Sequence, residues 1–223
     1  MIGTLGGRRR DDAARRPRRS RPPLITDMRG DARAAGGPGA KVLRFAAGDV
    51  VMVSGLPGSG KSTLIRRTVA AVDGDGEPVR CVDSQDVRQA WERRLPAWVP
   101  YEVYRPGARI VHYVRLERAL RRGGSVVVHD CGSRGWVRRW AAWRRRDRGS
   151  AVHLVLLDVP PSVAVEGQRS RSRTVPGRVF SRHRRGIGRL IGRVAEGRPP
   201  GGCAAVVLLD RRAADELHEI GFG

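Results

Sequence analysis

The chain has 223 residues, 40% of them hydrophobic, and 44 Lys and Arg against 22 Asp and Glu give a formal net charge of +22. That length suits one domain with a sizeable core plus extra segments. The charge predicts either attraction to polyanions, nucleic acid or phosphorylated ligands, or a generally basic surface without a specific partner. Cys81, Cys131 and Cys203 form no C-x-x-C pair, which excludes a zinc-finger or disulfide framework and fits reduced, small buried residues in a cytoplasmic protein. No apolar run approaches membrane-spanning length and the N-terminus lacks an apolar signal core, so no membrane association is expected.

Residues 1–40 differ in composition from the rest. Arg8-Arg9-Arg10, Arg15-Arg16 and Arg18-Arg19-Ser20-Arg21 precede Pro22-Pro23 and Gly36-Gly37-Pro38-Gly39, without hydrophobic periodicity. Such a segment reads as a disordered basic tail: an arm for nucleic acid, a solvated tail, or sequence upstream of a later start at Met28. From Lys41 to Gly223 the pattern alternates. Strands are expected at 42–45, 49–54, 78–83, 125–130, 151–158 and 204–209, and helices at 62–72, 86–95, 107–122, 136–146, 162–169, 178–195 and 211–220. The near-continuous apolar runs Val126-Val127-Val128 and Leu154-Val155-Leu156-Leu157 are those of a parallel sheet buried on both faces. The expected fold is a three-layer α/β/α sandwich with right-handed crossovers.

The second strand runs into Gly55-Leu56-Pro57-Gly58-Ser59-Gly60-Lys61-Ser62-Thr63, which fits the phosphate-binding G-x-x-x-x-G-K-[ST] loop. Each residue type has its reason. Glycines let the backbone curl so that N–H groups face phosphate oxygens. Lys61 reaches the β- and γ-phosphates, the Ser62 hydroxyl holds Mg²⁺, and the helix that follows aims its positive end at the same anion. Val50 to Val53 before the loop, and Leu64, Ile65, Val69 and Val72 after it, supply the strand–loop–helix context. ATP and Mg²⁺ are the expected ligands.

Three strands end in acids: Asp83, Asp130 and Asp158. Ligands of open α/β sheets sit at the carboxyl ends of the strands. Val126-Val127-Val128-His129-Asp130 has the Walker B form, with Asp130 a second Mg²⁺ residue; Asp158 reads as a structural cap. Asp83 and Asp86 are candidates for the acid that orients and deprotonates an acceptor hydroxyl, with Arg88 holding an anion, although Asp86 in a first helical turn also serves the helix dipole. Arg169 and Arg173, in the arginine-rich run Gly167 to Arg178, suit a lid that neutralises transition-state charge; a solvated basic loop is the other reading. Arg109, His112 and Arg115 share a helix face able to line an acceptor pocket. Trp136, Trp140 and Trp143 at i, i+4 and i+7 read as a stripe packed on the sheet, with base stacking the alternative.

On these residues the chain resembles the P-loop kinase-like ATPases grouped with polynucleotide kinases, zeta toxins and adenylylsulfate kinases, and looks closest to the ATP-binding "AAA family ATPase" proteins common in actinobacteria. The resemblance covers roughly residues 45–215. It implies a five-stranded parallel core in the order 2-3-1-4-5, and a D-x-D-x-x-R segment whose second acid is the general base. Asp83 and Arg88 match that segment, but Gln85 stands at the second acid and cannot accept a proton, so either Asp83 or Asp86 substitutes or kinase activity is lost. Two functions are consistent with this: a kinase acting on a small-molecule or nucleic-acid hydroxyl, and an ATP-binding regulator or nucleic-acid-associated NTPase. Cys131, not Glu, follows Asp130, which argues against a ring-forming motor.

Overall fold

The computed structural model describes residues 24–30, 41–96, 98–129, 134–170 and 175–223. The strands are β1 (Leu24–Asp27), β2 (Lys41–Phe45), β3 (Val50–Gly55), β4 (Arg80–Asp83), β5 (Val126–His129), β6 (Val152–Leu157), β7 (Ala205–Leu209) and β8 (Leu217–Phe222). The helices are α1 (Lys61–Thr68), α2 (Ser84–Glu92), α3 (Tyr101–Arg122), α4 (Gly135–Arg145), α5 (Pro161–Arg169), α6 (Gly177–Ala195) and α7 (Arg211–Glu216).

The apolar runs form one parallel sheet, β1-β7-β6-β3-β5-β4. Its alternating residues feed two cores. Val50, Met52, Val128, Leu154, Leu156 and Leu208 pack with Leu116 and Leu120 of α3, Val137 and Ala141 of α4, and Leu190 and Val194 of α6. Val51, Val53, Val155, Leu157 and Leu209 pack on the opposite face with Leu64 and Ile65 of α1, α7 and β8. This is the three-layer P-loop architecture, and the strands from β3 onward run in the expected order 2-3-1-4-5.

The sixth strand corrects the reading of residues 1–40 as tail. Leu24–Asp27 pairs in parallel with β7, Ile25 opposite Val206, and Ile25 and Met28 pack against the two cores. Arg29 then bonds Asp27 and, at 2.7 Å, Asp158, while the Gly30 N–H donates to Asp210 at 2.8 Å. Asp158 therefore holds this segment rather than capping a helix. Residues 1–23 and 31–40 lie outside the described residues.

A second correction concerns the C-terminal helix, expected to reach 220. It ends at Glu216, and Leu217–Phe222 becomes β8, paired in parallel with β2 in a separate small sheet. Ile220 also bridges Val69, which is extended, so α1 stops at Thr68 instead of Val72. Leu217, Ile220 and Phe222 gain burial from this pairing that a free helix end would not give. Helix α3 begins at Tyr101, through Pro106, ahead of the expected Gly107, because Tyr104 and Ala108 pack on Val87 and Trp91 of α2. Of the three α4 tryptophans, Trp140 alone packs on the core; Trp136 and Trp143 are 45% and 58% exposed, since Val137 and Ala141 take the sheet-facing positions. Cys81 is exposed on the edge strand β4, contrary to the buried expectation, whereas Cys203 is buried, its thiol pushed up to about 11 by that burial. Cys131 lies outside the described residues. No helix among the described residues is long and apolar enough to cross a membrane.

Candidate functional site

The loop between β3 and α1 has the backbone its glycines predict. Gly58 and Gly60 take φ of +88° and +93°, a left-handed region that penalises a Cβ. Gly60 is the N-cap of α1, and this helix carries neither a side-chain cap nor an acid in its first turn. Helices α2 and α7, in contrast, are capped by Asp83 and Asp210. The positive end of α1 is thus left to a ligand anion, and the residues present fit a phosphate group. Lys61 is buried, its Nζ donating to the Gly55 and Leu56 carbonyls at 3.0 and 2.7 Å.

Helix α5 is seated directly on the loop. A Cβ at Gly58 would collide with the Ala164 carbonyl, and one at Gly167 with the Gly58 carbonyl. Gln168, buried between them, donates from Nε2 to Pro57 O at 2.9 Å and accepts from the Val175 N–H at 3.0 Å. One side chain therefore ties the loop to α5 and to the approach to α6.

Beside the loop, the end of β5 brings in a residue the sequence reading passed over. His129 Nδ1 lies 3.2 Å from Ser62 Oγ and donates to Asp83 Oδ1. Asp83 also accepts from the Gln85 N–H at 2.7 Å, capping α2. Burial pushes the Asp83 carboxyl up, but the His129 hydrogen bond and charge, with the Gln85 N–H and Ser62, outweigh it and hold the acid below its ordinary value. Asp83 thus both caps α2 and faces Ser62, as oxygen donors suited to Mg²⁺ should. Asp86 is exposed in the first turn of α2 and off the cleft described next, the position of a helix-dipole residue. Asp130 lies outside the described residues. The only sequence hint of His129 was a polar residue closing an otherwise valine strand.

Pro57, Ser84 and His129 border a cleft of about 630 Å³ that continues between α3 and α6. Arg88 lines it, ion-paired with Glu92 at 2.6 Å and lying 4.2 Å over the Tyr101 ring. Arg109, His112 and Tyr113 also line it, as does His183, but Arg115 is exposed and off it: the cleft takes the 105-109-112-113 stripe of α3. Arg105, Arg134, Arg182 and Arg189 complete a basic wall that sequence spacing did not single out. Burial, then repulsion from Arg134 and Arg105, disfavours the charged form of Arg109. Arg169 is exposed at the end of α5 and does not line the cleft; Arg173 lies outside the described residues. On the other side of the loop, Gly58, Gly60, Thr63, Val163 and Arg211 line a second cavity of about 440 Å³.

No curated protein matches the chain by sequence. Among solved structures, a chain from the PezAT chromosomal toxin-antitoxin system of Streptococcus pneumoniae is 13% identical with a TM-score of 0.51, covering 79% of this chain and 72% of that one. A gluconokinase from Sinorhizobium meliloti is 16% identical with a TM-score of 0.46, covering 77% and 90%. A shikimate kinase from Bacteroides thetaiotaomicron is 13% identical with a TM-score of 0.37, covering 75% and 92%. The first of these likenesses concerns the fold alone. A family model described as "AAA domain", AAA_33, matches residues 50–190, more than half of the chain, and the protein belongs to that family.

Proposed function

We propose that the protein is an ATP-dependent kinase. The observation that carries this reading is the shared wall: Pro57 of the phosphate loop and His129 beside Ser62 border a cleft large enough for a small molecule. ATP lies with its phosphates along Gly55 to Thr63 and its nucleoside toward the cavity lined by Val163 and Arg211. Ser62 and Asp130 would hold Mg²⁺, which when bound would neutralise charge on the phosphates. Lys61 leaves the Gly55 and Leu56 carbonyls for the phosphates. The acceptor hydroxyl oxygen forms a bond to the γ-phosphorus as the bond from that phosphorus to the β–γ bridging oxygen breaks. Asp83, ionised at neutral pH, orients the hydroxyl and takes its proton, while Arg88 on the cleft wall, with Arg173 from the run that follows α5, stabilises the transferring phosphoryl group. The protein works without a membrane.

The test is Mg²⁺-dependent consumption of labelled ATP with nucleosides, aminoglycosides, 5′-hydroxyl DNA or RNA, or no acceptor. A phosphorylated product from one member, abolished in Lys61→Ala, is expected. Tight ATP binding without transfer to any acceptor would replace the kinase by an ATP-binding regulator, and unchanged nucleotide affinity in Lys61→Ala would remove the phosphate loop from the mechanism.

A further inference from the structure

The wall of the cleft is more basic than its own carboxylates can balance. Among the described residues, six arginines line it, Arg88, Arg105, Arg109, Arg134, Arg182 and Arg189, against one acid, Glu102. Arg88 has Glu92 as a partner. Among the described residues the other five form no ion pair. Arg134 is aimed by a hydrogen bond of 3.4 Å to the Tyr113 hydroxyl. Four of these guanidinium groups, on Arg105, Arg109, Arg134 and Arg182, also border a recess of about 370 Å³ that neither Pro57 nor His129 touches. Burial, then repulsion from Arg134 and Arg105, disfavours the charge on Arg109, and a bound anion would offset the repulsion. Like charges gathered from α3, α6 and the residue before α4, in a partly enclosed space, are a fixed site for a multiply charged group.

From this geometry we infer that the acceptor is a small hydroxyl compound that already carries a phosphate, held by Arg109, Arg134 and Arg182 at the end of the cleft away from the phosphate loop. The inference rests on the kinase reading and names its substrate class. The enclosed volume suits a small molecule. A nucleic-acid end, which would extend along Arg185 outside, is the competing outcome.

The experiment uses the full chain saturated with Mg-ADP, so that the phosphate loop is filled. Matched pairs are titrated calorimetrically at constant ionic strength: ribose with ribose 5-phosphate, glycerol with glycerol 3-phosphate, and a 5′-hydroxyl octanucleotide. We expect at least one phosphorylated member to bind tenfold or more above its neutral partner, a preference that charge-assisted hydrogen bonds supply. Arg109→Gln with Arg134→Gln removes that preference while ADP affinity, which also reports folding, stays unchanged. Arg115→Gln, on the exposed side of α3, leaves both intact. No preference for any phosphorylated member overturns the inference, as does a preference that survives the double variant. Binding confined to the octanucleotide, falling steeply with salt, assigns the arginines to nucleic acid instead. Phosphate-selective cleft binding without phosphoryl transfer to any acceptor refutes the kinase reading and, with it, the role of the bound compound as acceptor, leaving only a phosphate site; transfer to a neutral acceptor, unaffected by the double variant, keeps the kinase and overturns this inference.

Discussion

Two glycine-to-alanine substitutions, at Gly167 and Gly188, isolate the seat of α5 on the phosphate loop. Both residues are helical, so intrinsic propensity favours alanine by about 0.8–1.0 kcal/mol at either position. Around Gly188 in α6 the new Cβ meets nothing within 4 Å beyond its own stretch of helix backbone, and this variant should be stabilised by about 0.5–1 kcal/mol. At Gly167 the same Cβ runs into the Gly58 carbonyl, which is backbone and cannot rotate away. Overpacking of this kind costs about 1–3 kcal/mol. The upper part of that range, less the propensity gain, leaves a net loss near 2 kcal/mol, or roughly 4–8 °C in Tm for a domain of this size. Because the Gly58 tip must shift to relieve the contact, ADP affinity should fall in Gly167→Ala and hold in Gly188→Ala. Thermal unfolding and ADP titration of the two variants test this directly. A rise in Tm of similar size in both would refute the close seating of α5 on the loop.

Asp73 ties the amino ends of the central strands β5 and β3 by accepting from Ser125 Oγ at 2.8 Å, which in turn accepts the Gly48 N–H. The Ser125 hydroxyl, opposed by burial and helped by the Glu77 and Asp75 N–H groups, holds Asp73 below its ordinary value of 3.8. A carboxyl depressed by folding stabilises the fold above its unfolded value and loses that contribution as pH falls through its folded value. The unfolding midpoint of the wild type should therefore exceed that of Asp73→Asn at pH 7, and the gap should close below pH 3.8; a gap constant down to pH 2 would refute the assignment. A chain beginning at residue 31 should melt lower than the full chain, because β7 becomes an edge strand and Ile25 no longer covers the core; equal midpoints would show that β1 contributes nothing. Leu154→Ala, at a fully buried position of the central sheet, should cost about 2–5 kcal/mol in urea unfolding, and a loss under 1 kcal/mol would contradict the packing of the α3–α4–α6 core.

What the chain discloses by itself depends on how local each signal is. The phosphate loop is contiguous, so Gly55 to Thr63 could be read directly, and strands apolar on both faces marked a parallel sheet, whose order only the family resemblance implied. β1 is four residues among arginines and prolines, too short to show a period; only its pairing with β7 makes it a strand. Leu217 and Ile220, three apart, suit a helix face equally well, and the partner β2 lies far away in sequence. Arg88 and Arg109 were candidates in sequence, but Arg105, Arg134, Arg182 and Arg189 come from α3, the residue before α4, and α6, and in a chain with arginine throughout no spacing distinguishes them from solvated ones. Asp83 and Asp86, equal candidates in sequence, are separated by structure: one faces Ser62 and His129, the other faces solvent.

The arginine bias gives the phosphate loop an unusual chemical visibility. Lys41 and Lys61 are the only lysines in the chain, and Lys41 is engaged with Glu216 at 2.7 Å. Amine-directed reagents therefore meet two lysine targets, one ion-paired and one folded into the nucleotide loop. An acyl-phosphate nucleotide probe, which acylates whichever amine its phosphates touch, should label Lys61 and leave Lys41 unmodified, so that peptide mapping reports loop occupancy from a single residue.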